Sequence, residues 1–260
     1  MAVNQMHTYD DPVFFVAYSQ MDRSRYGLSA AGEWHQLKKL FPDVTGAAVL
    51  DLGCGYGWHS KYCSDHGAAV VRGIDASAAM IEEAKKRNPA QNVTYTVCTV
   101  EDYSCSEGTF DFVFSNLVLH YVSDLQGVYR KVFQVLRPGG IFLFNIEHPT
   151  FTASPGQDWI YQDGKPAHWP VDDYFYPGER KTVFCGCEVK KYHHTLTQIL
   201  GGMLNAGFVL EAVEEAMPRE ELAKEMPEEL RRPMMLLVRG RKNREPDSFQ
   251  DDNKVFQTSS

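Results

Sequence analysis

Residues 49–57, V-L-D-L-G-C-G-Y-G, decide the fold predicted for this chain of 260 residues. The stretch begins as a short, mostly apolar run that is typical of a buried strand, and its glycines predict a tight turn into a helix. Glycine permits positive φ angles and lets backbone N–H groups come close to a ligand. The stretch therefore predicts a ligand-binding loop at the end of a strand.

Strand-like runs and helical patterns alternate from residue 47 onwards. The predicted strands are residues 47–52, 69–75, 93–97, 110–115, 141–147, 208–213 and 234–239, and the predicted helices are residues 56–66, 77–86, 124–136 and 195–205. This order predicts a doubly wound, mostly parallel α/β sheet of seven strands with right-handed crossovers. Ligands of such sheets bind beyond the carboxyl ends of the strands, where residues 53–57, Asp75 and residues 116–120 are expected to meet.

The predicted organisation is a single domain at residues 1–240, with a cap at residues 1–44 and an insertion at residues 148–194. Residues 241–260 are polar and predicted to form a disordered tail. The insertion follows the fifth strand, shows no regular periodicity and is rich in aromatic residues. A segment of this length forms either a local core beneath a surface loop or a lid over a substrate.

Composition and charge exclude several classes of protein. The net charge is -8 and basic residues occur only in short clusters, so no nucleic-acid partner is expected. No apolar run is long enough to span a membrane. Neither a secretory signal nor a disulfide framework is evident, which predicts a cytoplasmic location. Cys185 and Cys187, with His193 and His194, do not fit zinc spacing, so no metal is predicted.

Three residues near the loop bear on the ligand that it binds. A dinucleotide site would need a third glycine where this chain has Trp58, whose indole would obstruct close packing of helix against strand. Asp51 would repel a pyrophosphate but suits a ligand that carries a positive charge. Asp75, at the end of the second strand, is placed to accept hydrogen bonds from ribose hydroxyls. Together these residues favour a sulfonium cofactor over a dinucleotide.

Four motifs in this order resemble those of class I S-adenosylmethionine-dependent methyltransferases. They are V-L-D-L-G-C-G-Y-G, G-I-D-A-S-A-A-M, F-D-F-V-F-S-N-L-V-L-H-Y-V and L-R-P-G-G-I-F-L-F, within residues 45–147. The flanking D-P-V-F-F-V-A-Y-S-Q-M-D-R-S-R-Y-G-L and E-H-P are similar to those of bacterial members. The resemblance implies a Rossmann-like methyltransferase fold, S-adenosylmethionine as cofactor and methyl transfer by in-line displacement.

The resemblance also implies roles for individual residues. Those implied to hold the methionine part are Asp51, Gly53, Cys54 and Gly55. Those implied to surround the ribose and adenine are Asp75, Ala76, Met80, Thr99, Val100 and Glu101. Those implied to lie near the sulfonium or to cover the cofactor are Asn116, Leu117, Tyr18 and Arg25. Many members carry aspartate in place of Thr99, so the adenine contact is expected to shift to Glu101 or Asp102.

The candidate catalytic residues follow the fourth and fifth strands. His120 is either a general base or a histidine bonded to the backbone at the start of a helix. Glu147 and His148 are placed to contact an acceptor amine or hydroxyl. The acidic chain and its aromatic insertion favour a small-molecule acceptor, and the oligomeric state is a monomer or a homodimer. The alternatives are an RNA or protein methyltransferase and a non-catalytic cofactor-binding protein.

Overall fold

The computed structural model describes residues 8–243. Its strands are β1 (Ala48–Leu52), β2 (Val70–Asp75), β3 (Val93–Val97), β4 (Phe110–Asn116), β5 (Leu136–Glu147), β6 (Ile160–Gln162), β7 (Lys165–His168), β8 (Gly178–Phe184), β9 (Cys187–His193), β10 (Phe208–Glu215) and β11 (Met235–Lys242). Its helices are α1 (Pro12–Ser19), α2 (Asp22–Tyr26), α3 (Trp34–Leu40), α4 (Trp58–Asp65), α5 (Ala78–Arg87), α6 (Leu125–Val135), α7 (Pro149–Thr152), α8 (Gly202–Asn205) and α9 (Glu220–Glu225).

Seven strands form one sheet in the order β10-β11-β5-β4-β1-β2-β3. Strand β11 is antiparallel to both of its neighbours, and the pairs among β1 to β5 are parallel. The predicted seven-stranded, mostly parallel sheet is therefore confirmed. The chain winds outward from β1 to β3 and then crosses back to β4 on the other side of β1. This reversal lies between β1 and β4, and ligands of sheets of this kind bind beyond the carboxyl ends of the strands at such a point.

Helices cover both faces of the sheet, which explains why β4 and β5 are apolar along almost their whole length. Phe112 and Phe114 of β4 pack with Leu37 of α3 on one face. Val113, between them, packs with Tyr129 of α6 on the other face. Because successive side chains of a strand point to opposite faces, one short strand contributes to both halves of the core.

Side chains cap the starts of two helices. Ser77 Oγ accepts a hydrogen bond from the backbone N–H of Met80 at 3.1 Å, at the start of α5. Asp124 Oδ1 accepts one from the backbone N–H of Gly127 at 2.8 Å, at the start of α6. Each side chain satisfies a donor that the first turn of a helix leaves unpaired. Strand β5 begins at Leu136, five residues earlier than predicted.

The insertion contains helix α7 and two antiparallel hairpins, β6–β7 and β8–β9, although the sequence predicted no regular structure there. Strand β9 does alternate, but Lys191 and His193 are among its buried residues. Arg180 of β8 is also buried. Because polar residues occupy inward positions, the apolar alternation that reveals a half-buried strand is missing from the sequence.

The last described strand continues past the predicted end of the domain at residue 240. Lys242 pairs with Phe208 in the sheet. Its Nζ donates to the carbonyl oxygens of Phe133 and Leu136 at 2.7 and 2.9 Å. These contacts hold residues 241 and 242 in β11, so the predicted tail begins too early. Residues 244–260 of that tail, and residues 1–7 of the predicted cap, lie outside the described residues.

We expect Arg180→Met to weaken the β8–β9 hairpin. The buried guanidinium donates to the carbonyl oxygens of Ala153, Asp173 and Tyr176, at 3.0, 3.2 and 2.8 Å. Hydrogen bonds from a charged group contribute about 1.5–3 kcal/mol each, so amide protection in the hairpin should fall about 30-fold or more. Hydrogen exchange measures this loss. Lys181→Met is the matched control, since Lys181 is exposed and pairs only with Glu188 in the described structure. An equal loss of amide protection in both variants would show that the hydrogen bonds of Arg180 do not stabilise the hairpin.

Candidate active site

A cavity of about 700 Å³ lies at the carboxyl ends of β1, β2, β4 and β5. The N-terminal helices and the insertion form its other walls. The predicted site residues that line it are Tyr18, Gly53, Cys54, Gly55, Asp75, Ala76, Met80, Thr99, Val100, Glu101, Asn116, Leu117, His120 and Glu147. Three predicted residues are not part of the lining, namely Arg25, Asp51 and His148.

The glycine loop after β1 places two glycines in different surroundings. A Cβ atom on Gly53 would lie 2.1 Å from a methyl group of Val118, in the loop after β4. Gly53 therefore allows the two loops to approach each other. Gly55 also has a positive φ, of +51°, but a Cβ atom there would meet nothing within 4 Å. Gly55 consequently leaves open space in the wall of the cavity.

Asp75 fixes this loop in a way that the sequence did not reveal. Its Oδ2 accepts a hydrogen bond from the backbone N–H of Gly55 at 2.9 Å. Its Oδ1 accepts one from the backbone N–H of Ser77 at 2.9 Å, immediately before α5. One carboxylate thus links the loop after β1 to the loop after β2. Both loops line the cavity.

Asp51 lies beneath the loop instead of in the wall of the cavity. It is buried, and its Oδ2 accepts a hydrogen bond from Ser60 Oγ of α4 at 2.6 Å. Burial, with a smaller effect of the nearby Asp75, raises the pKa of its carboxyl to about 7 against the lowering effect of the hydrogen bonds from Ser60. A carboxyl group without a full positive partner therefore lies under the glycine loop.

Arg23, and not the predicted Arg25, lines the cavity from the N-terminal segment. Its Nη2 donates to Glu33 Oε2 at 2.7 Å, and Asn116 Nδ2 donates to Glu33 Oε1 at 3.3 Å. Glu33 is buried, so this network joins the cap to the end of β4. Arg25 lies against Tyr26. Residues two apart on a helix point to nearly opposite sides, so the turn of α2 decides which arginine faces inward.

Several polar atoms of the cavity-lining residues are buried and have no hydrogen-bond partner among the described residues. They include Tyr56 Oη in the glycine loop and Trp58 Nε1 and His59 Nε2 at the start of α4. Burial, with a smaller effect of Arg23, lowers the pKa of His59 to about 3. A buried polar atom without a partner is costly in a closed structure, so these atoms indicate a place where a ligand binds.

The other end of the cavity contains a buried ionic cluster. Lys191 Nζ of β9 donates to Glu147 Oε1 at 2.6 Å and to Gln157 Oε1 at 3.2 Å. Gln157 Nε2 donates to Glu147 Oε2 at 3.2 Å. Burial alone would raise the pKa of Glu147, but His120, Lys191 and Gln157 together hold it below its usual value. The sequence did not identify Lys191 or Gln157, because both belong to the insertion, where no pattern placed them.

His120 lines the cavity beside this cluster. Its Nδ1 accepts a hydrogen bond from the backbone N–H of Glu147 at 3.5 Å, and its Nε2 lies 3.8 Å from Glu147 Oε1. Burial lowers the pKa of His120 to about 4, against the raising effect of Glu147. The imidazole is therefore neutral near pH 7. Its Nδ1 contact is with the backbone, which was one of the two expected arrangements.

His148 follows Glu147 but faces away from the cavity. Its Nδ1 accepts a hydrogen bond from the backbone N–H of Thr150 at 3.1 Å and so begins helix α7. Its Nε2 lies 3.1 Å from Glu215 Oε1 on β10. Successive side chains at the end of β5 point to opposite sides, which separates His148 from Glu147. His148 is therefore not part of the cavity lining, and its expected contact with an acceptor stays a prediction.

Thr99 lines the cavity near Met80, Val100 and Glu101. Its Oγ1 donates to Asp102 Oδ2 at 2.8 Å and accepts from the backbone N–H of Asp102 at 3.0 Å. Thr99 thus forms a local turn with Asp102. Asp102 is exposed and does not line the cavity, which leaves Glu101 as the carboxylate at this wall.

The histidines of the insertion have structural partners. His193 Nδ1 lies 2.8 Å from Thr152 Oγ1, and His194 Nε2 lies 2.9 Å from the carbonyl oxygen of Val122. No cluster of potential metal ligands occurs among residues 8–243. Within that same range, no helix has the length and apolar character needed to cross a membrane.

Comparison with known proteins assigns the family. A methyltransferase domain model matches residues 50–144. A Listeria monocytogenes protein assigned to the S-adenosylmethionine-dependent methyltransferases is 44% identical, with a TM-score of 0.77, and the match covers 82% of this chain and 99% of that one. An S-adenosylmethionine-dependent methyltransferase from Mesorhizobium loti is 37% identical, with a TM-score of 0.76 and coverage of 83% and 100%.

A more distant relative has a named acceptor. It is the malonyl-[acyl-carrier protein] O-methyltransferase of Enterobacter lignolyticus, 34% identical over 120 residues, which are 46% of this chain and 47% of the relative. The match spans about half of either protein. The two solved structures, by contrast, align over nearly their whole length at 37% and 44% identity. The chain therefore belongs to the S-adenosylmethionine-dependent methyltransferases, and S-adenosylmethionine is its cofactor.

Proposed function

We propose that this enzyme methylates a small-molecule acceptor, which binds between the glycine loop and the insertion. The observation that carries the proposal is that one cavity reaches from Gly55 and Asp75 to Glu147 and Lys191. The first pair lies at the loop expected to hold the cofactor, and the second forms a polar cluster next to it. Tyr18 of the cap and Phe184 of the insertion contribute to the walls, so cofactor and acceptor would lie together in a partly enclosed space.

The residues at the glycine loop fit S-adenosylmethionine. Gly55 leaves open space where the methionine part would approach the backbone, and Trp58 Nε1 and His59 Nε2 are buried without partners beside it. Arg23 supplies a positive charge on the same side, suited to a carboxylate. Asp75 lies at the ribose position, and Met80 and Val100 offer apolar contacts for adenine. We therefore assign the methionine part of the cofactor to the groups around Gly55 and Arg23, the ribose to Asp75, and the adenine to Met80 and Val100.

Asp51 contributes through its charge instead of by contact. A buried carboxyl group whose pKa is about 7 is costly to ionise in the free protein. A cationic ligand above the glycine loop would favour the ionised form. Asp51 would thus favour a ligand that carries sulfonium and ammonium groups over one that carries a pyrophosphate.

The bound cofactor supplies an activated methyl group on sulfur. The task of the protein is then to orient the acceptor in line with that group and to keep water out. Asn116 and Leu117 would lie closest to the transferred methyl group, and His120 and Glu147 would border the acceptor. Residues 8–242 would act as one domain, in which the cap covers the cofactor and the insertion covers the acceptor.

We expect Gly55→Ala to abolish tight cofactor binding without unfolding the protein. The added methyl group would occupy the open space in the cavity wall, and the positive φ would cost about 1–2 kcal/mol of stability. Calorimetry with S-adenosylhomocysteine should show a loss of affinity of about tenfold or more, or about 1.4 kcal/mol.

Gly46→Ala provides a matched control for the backbone strain. Gly46 has a φ of +72° and also has open space at its Cβ position, but it lies outside the cavity. This variant should lose similar stability and keep full affinity for S-adenosylhomocysteine. Equal affinity in the two variants would show that the assigned binding loop is wrong.

We expect Asp51→Asn to change the pH dependence of stability in the free protein. The pKa of Asp51 is raised from 3.8 to about 7, so the folded state retains a proton that the unfolded state releases. Its contribution to stability is therefore present at pH 4 and is lost as pH rises to 7, by on the order of 2–4 kcal/mol. Urea unfolding at pH 5 and pH 8 should show a smaller loss in the variant. Asp65→Asn, on the exposed side of α4, should retain the wild-type difference.

The function itself is tested by a screen for the acceptor. The full chain is incubated with methyl-labelled S-adenosylmethionine and a bacterial extract, which is then separated into small molecules, protein and RNA. We expect the label in the small-molecule fraction, with a mass increase of one methyl group. Label that enters only protein or RNA would overturn the proposal. A chain that binds S-adenosylhomocysteine but transfers no label would instead be a non-catalytic binding protein.

A further inference from the structure

At the acceptor end of the cavity, an apolar wall lies beside the polar cluster of Lys191, Glu147 and Gln157. Lys191 is 4% exposed and lies over the ring of Phe184, with 5.5 Å from Nζ to the ring centroid. The apolar residues that share this end of the lining are Phe151, Val183, Phe184, Met234 and Met235. An apolar wall beside the ammonium group of an ion pair is suited to a small ligand that has an apolar body and one ionic group.

Lys191 retains capacity for such a group. An ammonium group has three N–H donors. Two of them are directed to Glu147 and Gln157, the hydrogen-bond acceptors recorded for Lys191 in the described structure. Both partners fix the position of Nζ, and Lys191 lines the cavity, so the third donor is available to a ligand there.

The groups around Lys191 are poorly placed to remove a proton from an acceptor. The contact of His120 Nδ1 with the backbone N–H of Glu147 occupies the lone pair of the neutral ring, so the proton is on Nε2. Glu147 shares its two oxygens between Lys191 and Gln157. Tyr121 contacts the hydroxyl of Tyr9 at 3.1 Å, and burial raises the pKa of both phenols. Neither phenol is therefore ionised near pH 7.

These contacts discriminate among acceptor chemistries. An ammonium group must lose a proton before it can attack a methyl group, and an alcohol must lose one by the end of the transfer. Here the Nδ1 lone pair of His120 and both oxygens of Glu147 are already engaged in hydrogen bonds. An ammonium group would also lie beside the charge of Lys191. A carboxylate, with an ordinary pKa of about 4, is already ionised at neutral pH and is attracted by Lys191. It would also offset the positive charge of a sulfonium in the same cavity.

We propose that the acceptor is a small carboxylic acid with an apolar body, bound as its carboxylate through Lys191, and that the product is its methyl ester; this rests on the function proposed above. One carboxylate oxygen forms the new bond to the methyl carbon. The carbon–sulfur bond breaks, and its electron pair remains on sulfur, which becomes a neutral thioether. No proton is released, so the step needs no base.

The acceptor atom can be tested before the acceptor has been identified. The full chain is incubated with methyl-tritiated S-adenosylmethionine and the small-molecule fraction of a bacterial extract, and the products are then treated with mild alkali. Methyl esters hydrolyse under these conditions and release the label as volatile methanol, whereas methyl groups on nitrogen, carbon or thioether sulfur stay attached. We expect volatile label. Label that remains non-volatile would overturn the carboxylate assignment and leave small-molecule methylation intact. Absence of transferred label would overturn both.

Variants of β9 test the role of Lys191 with the acid recovered from that screen. Lys191→Met should lower kcat/KM for the acid by about tenfold or more, mainly through KM, while the affinity for S-adenosylhomocysteine stays within about twofold. Because this variant leaves Glu147 buried without its cation, a second variant that combines Lys191→Met with Glu147→Gln keeps the cluster neutral. It should show the same loss for the acid.

Lys190→Met is the matched control on the same strand. Lys190 is exposed and pairs with Glu179 at 2.9 Å, outside the cavity. The Lys190→Met variant removes the same charge from the neighbouring position and should leave the KM for the acid unchanged. Equal KM values for wild type, Lys191→Met and the double variant would show that Lys191 does not bind the acceptor.

Discussion

The close approach of the loops after β1 and β4 is the constraint on which the rest of the site depends. At Gly53 the backbone passes so near Val118 that no side chain could be accommodated. This contact lies where the winding of the sheet reverses, and it brings the glycine loop against Asn116 and Leu117. The cavity lining includes Asp75, at the end of β2, and Glu147, at the end of β5, on either side of β1 and β4 in the sheet.

Buried charges with fixed partners attach the cap and the insertion to this frame. Arg23 and Glu33 join the cap to Asn116, and Lys191 joins the insertion to Glu147. Burial makes an unpaired charge expensive, so each ion pair favours one geometry of the segment that carries it. Such pairs contribute less to net stability than to the position of the groups around them. Arg23, Lys191 and Glu147 lie in the wall of the cavity, where position decides what can bind.

The sequence was most informative where local pattern and long-range structure agree. The parallel strands, the capping of α5 by Ser77 and the glycine loop follow from periodicity and from residue types with a specific local role. The hairpin β8–β9 escaped prediction because Arg180 and Lys191 occupy its inward positions. A buried basic residue looks like a surface residue in a sequence, and only its partners show that it is inside. Strand β9, which carries Lys191 to the acceptor end, was therefore not predicted from the sequence.

The sequence alone indicated the family and the cofactor through the resemblance of four motifs, and its periodicity predicted the strand ends that surround the site. It placed Asp75 and His120 near the cavity, since the ends of parallel strands meet at one edge of the sheet. Tertiary structure decided which side chains face inward, which is why Arg23 replaces Arg25 and why His148 lies outside. It also brought Lys191 to Glu147 across 44 residues of chain. A contact between distant segments depends on how the insertion folds back over the sheet, and no local pattern records that path.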